Sequence, residues 1–268
     1  MADTLTFATL LARQTGQMLL EMAQRPDLGW QRKPDHSMVT EADLAADHAI
    51  AAAIRQQYPD DALLSEELAP RLPAAWQSQD GRGVWIVDPV DGTTNYSLGL
   101  PHWGVILCRV CAGQPDLGVL YFPALDELYT AQRGRGAFLN EQPLDLHADD
   151  SAQPDGFFVC CSRTFRRYRV QIPYKARILG SAAYSLCSVA RGQAALAFES
   201  TPKIWDLAAG WLLLQEAGGQ VETWDGSQPF PLAATTDYAR QSFPLLMGAT
   251  AAHIAQLRAN IHPYKSDS

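Results

Sequence analysis

The segment Trp85-Ile86-Val87-Asp88-Pro89-Val90-Asp91-Gly92-Thr93-Thr94-Asn95-Tyr96 constrains this chain more than any other stretch. An apolar run ends abruptly in two carboxylates three residues apart, and a glycine and two hydroxyls follow at once. A buried strand with that ending carries charges that must be solvated, paired or bound to metal. Pro89 fixes φ in what reads as a turn, so that Asp88 and Asp91 both point inward. The Val90 carbonyl is a further oxygen ligand. Gly92 lets Thr93 and Thr94 approach closely and opens their N–H groups to an anion.

The chain has 268 residues, 47% of them hydrophobic, enough for a full core. That length suits a single domain, with an α+β half at about 1–142 and an α/β half at about 143–268. The formal charge of -8, from 21 Lys+Arg against 29 Asp+Glu, argues against a general nucleic-acid surface. Five cysteines are present, and Cys108-Arg-Val-Cys111 reads as the end of an alternating strand. No second CxxC completes a zinc site, so the thiols are read as structural. The start has no basic leader, and no apolar run reaches membrane-spanning length. The expectation is a cytoplasmic protein that does not enter a membrane.

Apolar spacing predicts helices over residues 4–24 and 42–57, the second capped by Thr40. Leu63-Leu64 is a brief strand ending in Ser65-Glu66-Glu67, and Val84–Val87 is a buried strand. Strands follow at 103–111, 116–122, 126–131 and 135–139. The second half carries strands at 157–160, 194–199, 221–224 and 245–248. Its helices are expected at 181–191, 206–217 and 250–260, with Gly218-Gly219 closing the middle one. Strands and helices mix without strict βαβ alternation. This points to a layered α/β fold with helices between sheets, not a doubly wound nucleotide fold.

Five carboxylates sit at element ends: Asp43, Glu66, Asp88, Asp91 and Asp206. Asp43 and Asp206 serve equally well as helix caps. If the five converge, an oxygen-only ligand set suits Mg²⁺ or Mn²⁺ rather than zinc. Two or three such cations beside backbone donors make a site for a phosphate monoester.

In these motifs the chain resembles the inositol monophosphatase family. Trp85 to Asn95 matches its DPxDGTxN motif, and Trp205-Asp206-Leu207-Ala208-Ala209-Gly210 with Glu216-Ala217-Gly218-Gly219 matches its C-terminal motif. Lys33 to Asp43 resembles its metal-loop segment, Ser65-Glu66-Glu67 its Gly-Glu-Glu, and Gly180-Ser181-Ala182-Ala183 its substrate-facing segment. The resemblance implies a five-layer α/β/α/β/α sandwich of the inositol monophosphatase and fructose-1,6-bisphosphatase type. It also implies a homodimer, lithium sensitivity and Mg²⁺-dependent phosphomonoesterase activity. Glu66, Asp88 and the Val90 carbonyl would hold one metal, and Asp88, Asp91 and Asp206 a second. Glu66 would hold a weaker third. Thr93 and Asp43 would orient the attacking water, with Glu66 near it. Gly92, Thr93 and Thr94 would face the phosphate, with Ser181, Ala182, Glu199, Asp91 and Asp206 around the substrate.

Substrate identity rests on fewer residues. Glu199 matches the carboxylate that accepts a ring hydroxyl in inositol-specific relatives; alternatively it is a solvated strand end. Lys203 meets a second phosphate or faces solvent. Arg163, Arg166, Arg167 and Arg169 form a basic stretch suited to a surface, an interface or the site rim. The leading expectation is an inositol monophosphate or a related polyol or sugar phosphate. A 3'(2'),5'-bisphosphate nucleotidase, a histidinol phosphatase and a non-catalytic interaction protein are the alternatives.

Overall fold

A computed structural model of the chain describes residues 3–25, 30–32, 38–69, 71–73, 82–146 and 156–264. Helix α1 (Thr4–Ala23) forms where apolar residues recur at helical spacing, and buries Ala8, Leu11, Ala12, Leu19 and Met22. Strands β1 (Trp30–Arg32) and β2 (Met38–Thr40) pair antiparallel across what the sequence presents as a polar connection. The Lys33–Ser37 part of the expected metal loop, with His36, lies outside the described residues. Helix α2 (Glu41–Gln57) starts at the expected cap: the Thr40 hydroxyl oxygen accepts the Ala42 and Asp43 N–H groups at 3.2 and 3.3 Å.

Strand β3 (Ala62–Ser65) and β4 (Val84–Asp91) run parallel. A five-residue helix, α3 (Thr93–Ser97), follows β4. A meander comes next: β5 (Gly104–Cys111), β6 (Gln114–Phe122), β7 (Glu127–Gln132), β8 (Gly136–Leu139) and β9 (Gln142–Leu144). Together β3 to β9 form one seven-stranded sheet in chain order. Strand β4 is apolar on both faces because both are covered: Val84 and Ile86 enter one core, Trp85 and Val87 another.

The turn expected at Pro89 is not there. Strand β4 continues to Asp91, and its register shifts so that Asp88 faces Ile106 and Asp91 faces Gly104. Three steps on β4 match two on β5, which is a β-bulge. Proline cannot donate to the ladder, so the extra residue falls there. In a regular strand residues three apart point to opposite faces. The bulge lets Asp88 and Asp91 both reach the same cavity.

The second half supplies β10 (Phe157–Cys160), a short helix α4 (Thr164–Arg167), β11 (Tyr168–Val170) and β12 (Ala176–Arg177). Next come α5 (Ala182–Ala190), β13 (Ala194–Glu199), α6 (Ile204–Glu216) and β14 (Gln220–Thr223). The chain ends with β15 (Leu245–Gly248), α7 (Ala251–Asn260) and β16 (Ile261–Pro263), which pairs with β11. A mixed five-stranded sheet has the order β12-β10-β13-β15-β14. Helix α6 begins two residues earlier than the sequence suggested, so Asp206 occupies its first turn rather than opening it.

Helices α5 and α6 lie between the two sheets, and α6 is buried almost all round, as a central helix must be. Helices α1 and α2 cover the outer face of the seven-stranded sheet, and α7 that of the five-stranded sheet. The result is the expected five-layer α/β/α/β/α sandwich. Among the described residues no helix is long and apolar enough to cross a membrane.

Candidate metal and phosphate site

The ends of β4 and β13 and the first turns of α3, α5 and α6 meet around a cavity of about 320 Å³. Glu66, Asp88, Val90, Asp91, Gly92, Thr93 and Thr94 line one side of it, with Ser181, Ala182, Glu199 and Asp206 also in the wall. Eleven of the twelve candidate residues therefore share one cavity. The twelfth, Asp43, is not in the wall.

Glu66 follows β3 directly, and its N–H extends the pairing with β4 by bonding the Val87 carbonyl at 3.2 Å. One carboxylate oxygen each from Glu66, Asp88 and Asp206 lie within 4.8 Å of one another. Asp88 is only 1% exposed. Among the described residues no cationic side chain forms an ion pair with it. Burial pushes its carboxyl well above the usual range, and the charges of Glu66, Asp91 and Asp206 push the same way. Burial raises Asp206 to about 7, with Asp91 adding to it. Carboxylates brought this close hold protons or need an opposite charge. An oxygen-only donor set of this kind fits a hard divalent cation.

Asp91 stands beside this trio with one oxygen already engaged. Its Oδ2 accepts the Ser181 hydroxyl, and the Ala183 N–H at 3.3 Å. Burial still raises its carboxyl to about 7, against those hydrogen bonds. Asp43 lies behind the wall, where its Oδ1 accepts the Thr93 hydroxyl at 2.9 Å and its Oδ2 accepts the Thr40 N–H at 2.8 Å. It is thus both the third-position carboxylate of the α2 capping box and a partner of a wall hydroxyl. Gly92 has φ 86°, and a Cβ there would meet the His102 carbonyl at 2.8 Å. Only glycine fits that junction of β4 and α3.

Ser181 caps α5 by accepting the Tyr184 N–H at 3.0 Å. One turn on, the Ser185 hydroxyl donates to Glu199 Oε1 at 2.7 Å. Glu199 is 4% exposed, so it is not a solvated strand end. Burial and then the neighbouring Cys161 push its carboxyl well above the usual range.

Three residues of this region were not singled out in the sequence. Ser185 is one. Asn95 is another: its amide donates to the His102 and Leu179 carbonyls at 2.6 and 2.8 Å, tying the two loops of the site together. Its place in the DPxDGTxN motif is the signal that marks it. The third is Cys161, read as structural, which lines the cavity and contacts the Ser200 and Thr164 hydroxyls at 3.0 and 3.3 Å. No sequence pattern sets Cys161 apart from the other thiols.

The secondary candidates separate cleanly. Lys203 does not face solvent alone, since its Nζ donates to the Ala239 carbonyl at 2.9 Å, and it is not in the cavity wall. Arg163 lines the cavity, whereas Arg166, Arg167 and Arg169 are exposed outside it. At the turn between β7 and β8, the Gly134 and Gly136 N–H groups donate to the Glu216 carboxylate at 2.9 Å each.

Comparison with known proteins agrees with this geometry. Residues 1–261 match the model of the inositol monophosphatase family. Nus factor SuhB of Pasteurella multocida is 34% identical over 243 residues, covering 86% of this chain and 88% of that protein. The fructose-1,6-bisphosphatase/inositol-1-monophosphatase of Thermotoga maritima is 32% identical over 230 residues, covering 84% and 87%. The crystal structure of extragenic suppressor protein suhB from Bartonella henselae superposes with a TM-score of 0.79 at 26% identity, covering 96% of this chain and 98% of that one. With a family model spanning nearly the whole sequence and relatives above 30% identity, the chain belongs to the inositol monophosphatase family.

Proposed function

We propose that the chain hydrolyses the phosphate monoester of an inositol, or of a related polyol or sugar, by direct attack of water on phosphorus. Metal-dependent phosphatase activity on a small phosphorylated substrate has the support of the acidic cluster and of family membership. The observation that points to a polyol is Glu199, a buried carboxylate in the same cavity wall as the cluster. Such a group is suited to accept hydrogen bonds from a polyol hydroxyl.

In this reading Glu66, Asp88 and the Val90 carbonyl would hold a first Mg²⁺. Asp88, Asp91 and Asp206 would hold a second, and Glu66 a weaker third. Mn²⁺ would substitute. Bound cations supply charge neutralisation on the phosphate oxygens and a more acidic water. Thr93 donates its hydroxyl proton to Asp43, which leaves its Oγ1 lone pairs to accept a proton from the attacking water. Gly92, Thr93 and Thr94 face the phosphate, and Ser181 and Ala182 border the leaving group. As the water oxygen bonds to phosphorus, its proton passes to Thr93 Oγ1 and the Thr93 hydroxyl proton to Asp43; the ester P–O bond breaks, and the departing alkoxide takes a proton from solvent water and leaves as an alcohol. We extend the reading to a homodimer and to inhibition by lithium.

The test is phosphate release by purified protein with Mg²⁺ across five compounds: inositol-1-phosphate, 3'-phosphoadenosine-5'-phosphate, histidinol phosphate, fructose-1,6-bisphosphate and NADP. Preference for inositol-1-phosphate is the expected result, and preference for the adenosine bisphosphate or histidinol phosphate overturns the substrate. D91N should lower turnover severely without unfolding the chain; near-native activity in that variant refutes the second-metal role. A second reading, a non-catalytic interaction protein, draws on relatives that carry the name Nus factor. It prevails if folded protein with several divalent metals turns over none of the five.

A further inference from the structure

The loop that carries Glu66 has a complete backbone account. The Ser65 N–H bonds the Ala69 carbonyl at 2.9 Å, and the Glu66 N–H bonds Val87 at 3.2 Å. The Ala69 N–H bonds the Ser65 hydroxyl oxygen at 3.1 Å. The two N–H groups between them, of Glu67 and Leu68, both donate to Oδ2 of Asp47, at 3.2 and 3.0 Å.

Asp47 is an unexpected residue to find there. It lies in the middle of α2, is fully buried, and has Ala46 and Ile50 as buried neighbours on the helix. Packing alone would place an apolar side chain at that position. Its Oδ1 is one of three buried side-chain polar atoms without a partner among the described residues. Burying a carboxylate and leaving one oxygen unpaired weakens a fold. The other oxygen gathers the two main-chain donors that directly follow Glu66, the Ser65 side chain also bonds the carboxylate, and no function assigned above uses Asp47.

Asp43 and Asp47 are also one helical turn apart, so they share a face of α2. Asp43 reaches the Thr93 side of the cavity, and Asp47 the Glu66 side. From this geometry we propose that Asp47 is a positioning residue. It acts through the Glu67 and Leu68 amides to set the Glu66 carboxylate against Asp88 and Asp206. Helix α2 thereby holds both flanks of the acidic cluster in one register. The inference rests on the metal-site reading of Glu66 and goes beyond it. Removing a supporting group of this kind weakens metal binding by about tenfold to a hundredfold.

Two measurements on the full chain test it. The first is Mn²⁺ binding by titration calorimetry to native protein, Asp47→Ala, Asp47→Asn and Ile50→Ala. Ile50 is an equally buried residue of α2 that makes no contact with the loop backbone by hydrogen bonding, so it reports core damage alone. Asp47→Ala should weaken Mn²⁺ binding about tenfold or more. Asp47→Asn, which keeps one neutral acceptor, should fall between it and native. Ile50→Ala should lower the melting temperature while holding native Mn²⁺ affinity.

The second is hydrogen exchange at the Glu67 and Leu68 amides, which should quicken in both Asp47 variants and in neither case require metal. Asp47→Asn carries both tests should the alanine variant not fold. Native Mn²⁺ affinity in the Asp47 variants, or an equal loss in Ile50→Ala, overturns the positioning role. So does unchanged exchange at the two amides. A native protein that takes up no Mn²⁺ while Asp47→Asn still quickens exchange sinks the metal site instead, and with it the purpose of the positioning.

Discussion

A single half-buried carboxylate and a cluster of carboxylates in this protein solve the same problem in opposite ways. At Glu127, on β7, every carboxylate oxygen finds a protein donor. Arg191 Nη1 lies 2.5 Å from Oε1, and the Tyr129 and Tyr184 hydroxyls reach Oε2 at 2.9 and 3.1 Å. Around Asp88, carboxylates face carboxylates. The first arrangement is complete within the chain and fastens α5 to the seven-stranded sheet. The second crowds like charges whose carboxyls push one another upward, a pattern typical of a site that takes up a cation.

This contrast can be broken most decisively with pH and metal. Asp91 and Asp206 have carboxyls raised from 3.8 to about 7 in the folded chain. Between those values the folded state keeps protons that the unfolded chain has released. Stability contributed by these groups is therefore fully present below about pH 4 and is lost as pH rises through about 7. Metal-free protein should lose several kcal/mol over that window in urea denaturation. Saturating Mg²⁺ should abolish most of the loss, and superimposable curves with and without it would break the comparison.

Next in size is Asp88→Asn. Phosphate release should fall on the order of a thousandfold, about 4 kcal/mol of transition-state stabilisation. The same variant should melt no lower than native protein in the absence of divalent ions, because one repelling charge is gone. A melting temperature far below native would show that Asp88 is structural.

Glu127→Gln should do the reverse. Weakening the half-buried pair with Arg191 should cost about 2 kcal/mol in denaturant unfolding. That loss should be insensitive to Mg²⁺, unlike the loss at the acidic cluster. The smallest effect belongs to Thr40→Ala, which removes the α2 cap and one clamp on Asp43. A drop of about 1 kcal/mol in thermal unfolding is expected.

Much of the fold is legible in the sequence because burial periodicity is local. Helix α1 reads from its apolar spacing, α2 from its Thr40 cap, and α6 from the glycines that close it. The elements that escape, such as β9, β11, β12 and β16, are two or three residues long. They are strands only because a distant partner pairs with them, as Tyr168 does with Pro263. Pro89 misleads for a related reason. A proline after an apolar run reads as a stop, but a partner strand with a register shift accommodates it as a bulge.

By itself the sequence determined the kind of chemistry and the residues that meet at it. Asp88, Asp91, Glu66 and Asp206 are recognisable because carboxylates at the ends of apolar runs need an explanation that few ligands supply. Tertiary structure alone decided their relations. It placed Asp91 against Ser181 rather than in the closest trio, put Asp43 behind Thr93, buried Glu199 under Ser185, and enlisted Asp47 and Asn95 to hold the loops. Those outcomes depend on contacts across up to 90 residues of chain, as between Asp91 and Ser181. Local composition carries the charge of a side chain, but only the folded chain decides which neighbour answers it.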